Sequence, residues 1–92
     1  MKWVERINLR AGSHNSQAIL LQVMEMTSQI HGAAGLTEAN VYSHAVLDGD
    51  FEISLLWDTD ELYHHGSPTG LGLAQTLKKF GLIDHSTWIK RD

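Results

Sequence analysis

The sequence contains no cysteine and only one proline. The first absence removes disulfides, thiolate metal ligands and cysteine nucleophiles together, and it fits a reducing compartment. Nor is there an unbroken apolar run of the ~18 residues that a membrane-spanning helix needs. The opening MKWVERINLR carries three positive charges without an apolar run, so it does not read as a secretion signal, and a cytoplasmic location is expected. Lysine and arginine are few and scattered, at 2, 6, 10, 78, 79, 90 and 91, in a chain of net charge −4. A broad phosphate-binding surface is therefore excluded, and nucleic acid is not an expected partner. Gly-rich phosphate loops, the G-x-S-x-G elbow and H-E-x-x-H are all missing. GSPTGLG holds three glycines but follows a polar turn, not a strand, so it is no dinucleotide fingerprint.

Ninety-two residues allow one hydrophobic core, so residues 1–92 are read as a single domain. KWVERINLR alternates: Trp3, Glu5, Ile7 and Leu9 oppose Val4, Arg6, Asn8 and Arg10, the period of a half-buried strand. AGSHNS breaks it and supplies Ser13, Asn15 or Ser16 as a helix N-cap. From Gln17 to His31 the period lengthens; Ile19, Val23, Met26 and Ile30, widened by Leu20 and Met24, form one helical stripe. Gly32 offers its stop.

TEANVYSHAVL and DFEISLLWD flank Asp48-Gly49, which predicts a two-residue hairpin turn with Leu47 opposite Asp50. That register puts Asn40, Tyr42, His44 and Val46 beside Phe51, Ile53, Leu55 and Trp57, on the face expected to lie under the helices. Asp58-x-x-Glu61 has the spacing of a capping box and predicts a short helical turn ending at Gly66. Ser67-Pro68 then caps and opens a second helix, whose apolar side is Leu73, Ala74, Leu77 and Phe80. Gly81 is its expected left-handed terminator, with Leu82 returning onto Leu77. IDHSTWIKR reads as a last strand, with Trp88 and Ile89 on opposite faces.

The order βαββαβ predicts an α+β, ferredoxin-like fold: a four-stranded antiparallel sheet with both helices on one face. Val41, Ala45, Leu47 and Leu56 are expected on the other face. They are apolar enough to need cover, which a second copy packed sheet to sheet would supply as a homodimer.

In element order and length nearly the whole chain resembles the dimeric α+β barrel superfamily, in particular the antibiotic-biosynthesis-monooxygenase-like small proteins. The local likeness is concentrated in Trp57-Asp-Thr-Asp-Glu-Leu-Tyr-His64-His65-Gly-Ser67-Pro68. The resemblance implies a pocket between sheet and helices and, in its cofactor-free oxygenases, chemistry without a cofactor. In its haem-degrading relatives an Asn on the first strand, a Trp on the third and a His on the second helical segment line that pocket. Asn8, Trp57 and His65, with His64 as the alternate, are the matching positions.

Histidine is in excess, at positions 14, 31, 44, 64, 65 and 85. Adjacent His64 and His65 on a helical turn would point about 100° apart and would not chelate one metal as an i, i+4 pair does. No metal site is therefore assigned. They are either a polar lead-in to the second helix or pocket residues, with a haem- or metal-binding protein as the remaining alternative to a cofactor-free one. His44, on the predicted apolar face, is a candidate general base, or else a core histidine satisfied by a neighbour. Tyr42, Phe51 and Trp57 could wall a pocket for a flat aromatic molecule or serve as ordinary core. His14 stands in a loop of the kind that rims pockets. The expected catalytic set is thus His44, His65 and Tyr42, with Trp57, Asn8, Phe51, His64 and His14 contacting a small apolar or aromatic molecule. Cofactor-independent oxygenation or proton transfer is the expected reaction, and a non-catalytic ligand-binding module is its rival.

Overall fold

Trp3, Glu5, Ile7 and Leu9 are all buried in β1 (Lys2–Arg10), while their even-numbered neighbours face the other way, as strict alternation requires. The computed structural model describes all residues 1–92. The remaining elements are α1 (Ser16–Ser28), β2 (Leu36–Ser43), β3 (Asp50–Asp58), α2 (Pro68–Leu77) and β4 (Leu82–Ile89), with a 3₁₀ turn at Lys78–Phe80. The chain is therefore βαββαβ, a ferredoxin-like α+β fold whose antiparallel sheet runs β2-β3-β1-β4.

β1 and β3 occupy the middle of the sheet, so their odd-numbered residues meet the helices. Ile7, Leu9, Phe51, Ile53 and Leu55 pack with Ile19 and Val23 of α1 and Leu73, Ala74 and Leu77 of α2. Helix α1 follows its expected stripe only in part. Ile19 and Val23 are buried, Met26 and Ile30 partly so, and Met24 is exposed. Asn15 is the N-cap, in the left-handed region at φ 60° without a side-chain cap bond, and the helix ends at Ser28, earlier than His31.

Three local expectations are corrected. The hairpin does not turn tightly at Asp48-Gly49: residues 44–49 form a wider loop, closed where His44 N–H donates to the Asp50 carbonyl at 2.8 Å. The register follows from that closure, with Ser43 opposite Phe51, Val41 opposite Ile53 and Tyr42 opposite Glu52. The offset from Leu47–Asp50 pairing is odd, so the faces exchange. Val41 turns under the helices, whereas Tyr42 faces away from them and Ala45 and Leu47 belong to the loop. The wider loop has its own cause. Gly49, at φ 84°, lies directly against the Gly12 backbone, and Ala11 N–H donates to the Gly49 carbonyl.

The other two corrections flank α2. Residues 59–66 contain no helix. Thr59 Oγ1 instead accepts from Trp3 Nε1 and donates to the Glu61 carbonyl across a bend, and a turn at His64-His65 follows. At the far end Gly81 is extended (φ 164°), not left-handed, and packs against the Arg10 carbonyl, while Leu82 is exposed rather than closing on Leu77.

Candidate functional site

The polar centre of the molecule is Glu5, a residue with no solvent exposure in the apolar stripe of β1. An ionised carboxylate can be buried only if hydrogen-bond donors replace its water. Four converge on it. Trp57 Nε1 of β3 donates to Oε1 at 3.0 Å, and Ser67 Oγ to the same oxygen at 2.7 Å. Ser67 N–H donates to Oε2 at 3.1 Å, and His85 Nε2 of β4 meets Oε2 at 2.5 Å. No buried side-chain polar atom of the protein is left without a partner.

This arrangement explains the start of α2. Ser67 caps the helix by accepting from Gly70 N–H at 2.9 Å, and Pro68 occupies the first turn, as expected from the sequence. Position 70 must be glycine because a Cβ there would collide with the Glu5 carboxylate. Gly66, at φ 113°, is similarly pressed against His85 and Glu5. The N-terminus of α2 thus sits on an internal anion, which its partial positive charge favours.

Beside this cluster lies a groove of about 490 Å³ between residues 33–34 and the 59–69 segment. Trp3 and Trp57 stack at its base with ring centroids 5.6 Å apart and planes 17° from parallel. Tyr63 tilts against Trp3 at 6.3 Å, and Ser67, Asp60 and Glu61 complete the lining. Glu5 therefore reaches the groove indirectly, by fixing Trp57 and Ser67.

The residues singled out from sequence fall into three places. Trp57 is in the groove. Asn8, Tyr42, His44 and Phe51 line a separate cleft of about 620 Å³ at the opposite end of β1 and β3. His14, His64 and His65 are exposed and line neither space. Two placements are corrections. His44 is not beside Ile53 on the apolar face; its exposed ring caps the loop, Nδ1 accepting from Val46 N–H at 3.0 Å and Leu47 N–H at 2.9 Å. His65 does not turn inward toward Trp57: it is exposed in a turn closed where Gly66 N–H donates to the Tyr63 carbonyl at 3.2 Å.

Nor do Asn8, Trp57 and His65 converge, since Asn8 and Trp57 point to opposite faces of the sheet. They do not assemble a haem pocket. No group of three or more histidine or acidic side chains could hold a metal ion. The residues missed from sequence are Glu5 and His85 and, in the groove itself, Trp3, Asp60, Glu61, Tyr63 and Ser67. Glu5 had a visible signal, a lone charge within the apolar stripe Trp3-Glu5-Ile7-Leu9; His85 had only its odd-numbered place in the last strand.

No protein-family model matches the sequence, and no curated protein does. Solved structures do. Rv0793 from Mycobacterium tuberculosis superposes with a TM-score of 0.73 at 14% identity, covering 100% of this chain and 97% of that one. A candidate antibiotic biosynthesis monooxygenase from Deinococcus radiodurans gives 0.73 at 14% identity, over 98% and 93%. SnoaB, a cofactor-independent oxygenase from Streptomyces nogalater, gives 0.58 at 12% identity, over 99% and 92%. The fold is that of the antibiotic-biosynthesis-monooxygenase-like proteins. On this monooxygenase-like fold the groove lies on the helix-covered side of the sheet, and Glu5 and the start of α2 hold its wall.

Proposed function

We propose that the protein binds a small, planar, largely apolar or aromatic molecule in the groove of Trp3, Trp57 and Tyr63. The observation that carries this reading is the stacked indole pair, held in place at both ends. Trp3 Nε1 is fixed by Thr59 at 2.9 Å, and Trp57 Nε1 by Glu5. Aromatic surface whose polar edge is already bonded offers a preformed apolar wall, and preformed walls cost little ordering on binding. Cofactor-independent oxygenation is the reaction class supported by the likeness to SnoaB, and a ligand-binding module without turnover is the rival on the same groove.

The test is tryptophan fluorescence during titration with a neutral naphthalene-sized aromatic such as quinoline, with oxygen uptake followed in parallel. Saturable quenching that disappears in Trp57→Leu supports the groove. Quenching without oxygen uptake, together with ligand-dependent thermal stabilisation, would favour the binding module. Absence of saturable quenching would overturn the reading.

The functional molecule is a homodimer in this proposal, joined through the sheet face opposite the helices. That face carries Trp88, Tyr42 and Leu82, all at least half exposed. Arg6, Asn8, Glu52 and Asp84 lie between them, so the seam would be a mixed polar and apolar one, and closed pairs are the commonest form of association.

A further inference from the structure

We infer that the groove selects an aromatic ligand carrying a positive charge, in preference to a neutral or anionic one of the same shape; this rests on the groove-binding reading above. The inference comes from the balance of donors and charges around the groove. The hydrogen-bond donors are largely consumed within the protein. Both indole N–H groups are bonded, Trp3 to Thr59 and Trp57 to Glu5. Ser67 Oγ and Ser67 N–H both donate to Glu5, Gly70 N–H is taken by Ser67 Oγ, and Thr59 Oγ1 donates to the Glu61 carbonyl. The start of α2, which would otherwise be an anion site, already holds an anion.

What remains open is of the other sign. Asp60 and Glu61 line the groove, and no lysine, arginine or histidine does. Neither carboxylate belongs to an ion pair. The ion pairs of the molecule are the Met1 amino group with Asp58 and Arg10 with Asp50. Tyr63, 39% exposed, adds the negative face of its ring, to which a cation is attracted. A carboxylate or phosphate ligand would therefore meet repulsion offset only by the Tyr63 and Thr69 hydroxyls, whereas a quaternary or protonated aromatic nitrogen meets two unpaired carboxylates. Both are exposed, so the preference is modest: roughly 3- to 10-fold in affinity at low salt.

The experiment compares three probes of one shape: N-methylquinolinium, quinoline at pH 8, and 2-naphthoate. Tryptophan quenching is read in a Trp88→Phe background, so that the signal reports Trp3 and Trp57. The cation is expected to bind tightest and the anion weakest. The advantage of the cation over quinoline should shrink in high salt and vanish in the double variant Asp60→Asn/Glu61→Gln, whose thermal midpoint confirms that it is folded. Equal binding of cation and neutral probe, tightest binding of the anion, or an advantage that survives the double variant would each overturn the inference while leaving the groove reading intact. Failure of all three probes to bind would overturn both.

Discussion

Glu5 shows how one side chain can organise a site that it does not enter. Its carboxylate gathers donors from β3, β4 and the start of α2, separated from it in sequence by 52, 80 and 62 residues. Removing an acceptor shared by three buried donors and the part-buried His85 leaves those groups stranded. Glu5→Ala is expected to lower unfolding stability by about 3–5 kcal/mol, measured by urea denaturation. A loss under about 1 kcal/mol would show that water replaces the carboxylate without cost. The sequence made Glu5 conspicuous as a charge among apolar neighbours, but not its partners, because nothing local links position 5 to position 85. The histidine excess pointed elsewhere for the same reason. His64 and His65 stand out in a row, whereas the histidine that meets the carboxylate is a single residue of an edge strand.

The glycines of α2 separate steric need from flexibility. A Cβ on Gly70 would land on the Glu5 carboxylate, whereas one on Gly72 meets open space. Gly70→Ala should destabilise by about 1–3 kcal/mol through overpacking, and it should also weaken groove binding by displacing the α2 start. Gly72→Ala, in the same helix, should instead gain about 0.5–1 kcal/mol, since alanine loses less freedom on becoming helical. Paired thermal melts check both signs. At this level one cap was readable: Ser67-Pro68 declares a helix start by its own chemistry, whereas the Asp58-x-x-Glu61 spacing and Gly81 did not act as caps. The β2–β3 hairpin was not. Asp48-Gly49 suits a tight turn, but Gly49 is needed for its approach to Gly12 in another loop, and the resulting wide loop moved Tyr42 and His44 to the far face. His44→Ala frees two loop amides that water can reach, so a cost of about 0.5–1.5 kcal/mol is expected, with little change at the groove.

The architecture as a whole was the most legible part, because βαββαβ order with alternating strands leaves few topologies open. What order could not convey was which apolar residues face outward. Val41, assigned to the uncovered face, packs beneath the helices, whereas Leu56 lies on that face as expected, joined there by Val4, Tyr42, Leu82 and Trp88. Trp88 is held there by Nε1–H donating to Ser86 Oγ at 2.9 Å, with the Arg6 guanidinium 6.0 Å from its ring centroid. If this face joins two copies, Trp88→Asp should shift sedimentation from dimer to monomer while leaving the far-ultraviolet spectrum unchanged. A variant that sediments as the parent protein does would place the partner contact elsewhere.

The near-parallel contact of Trp3 and Trp57 has an optical consequence. Two indoles at that separation are close enough for their electronic transitions to couple, so they should contribute a paired positive and negative band to the circular dichroism spectrum. The pair bridges two central strands at the base of the groove, so the band would respond both to strand separation and to anything lying against the rings. The molecule thus carries a built-in spectroscopic reporter of its own groove, one that needs no label and responds to any molecule that settles on the indoles.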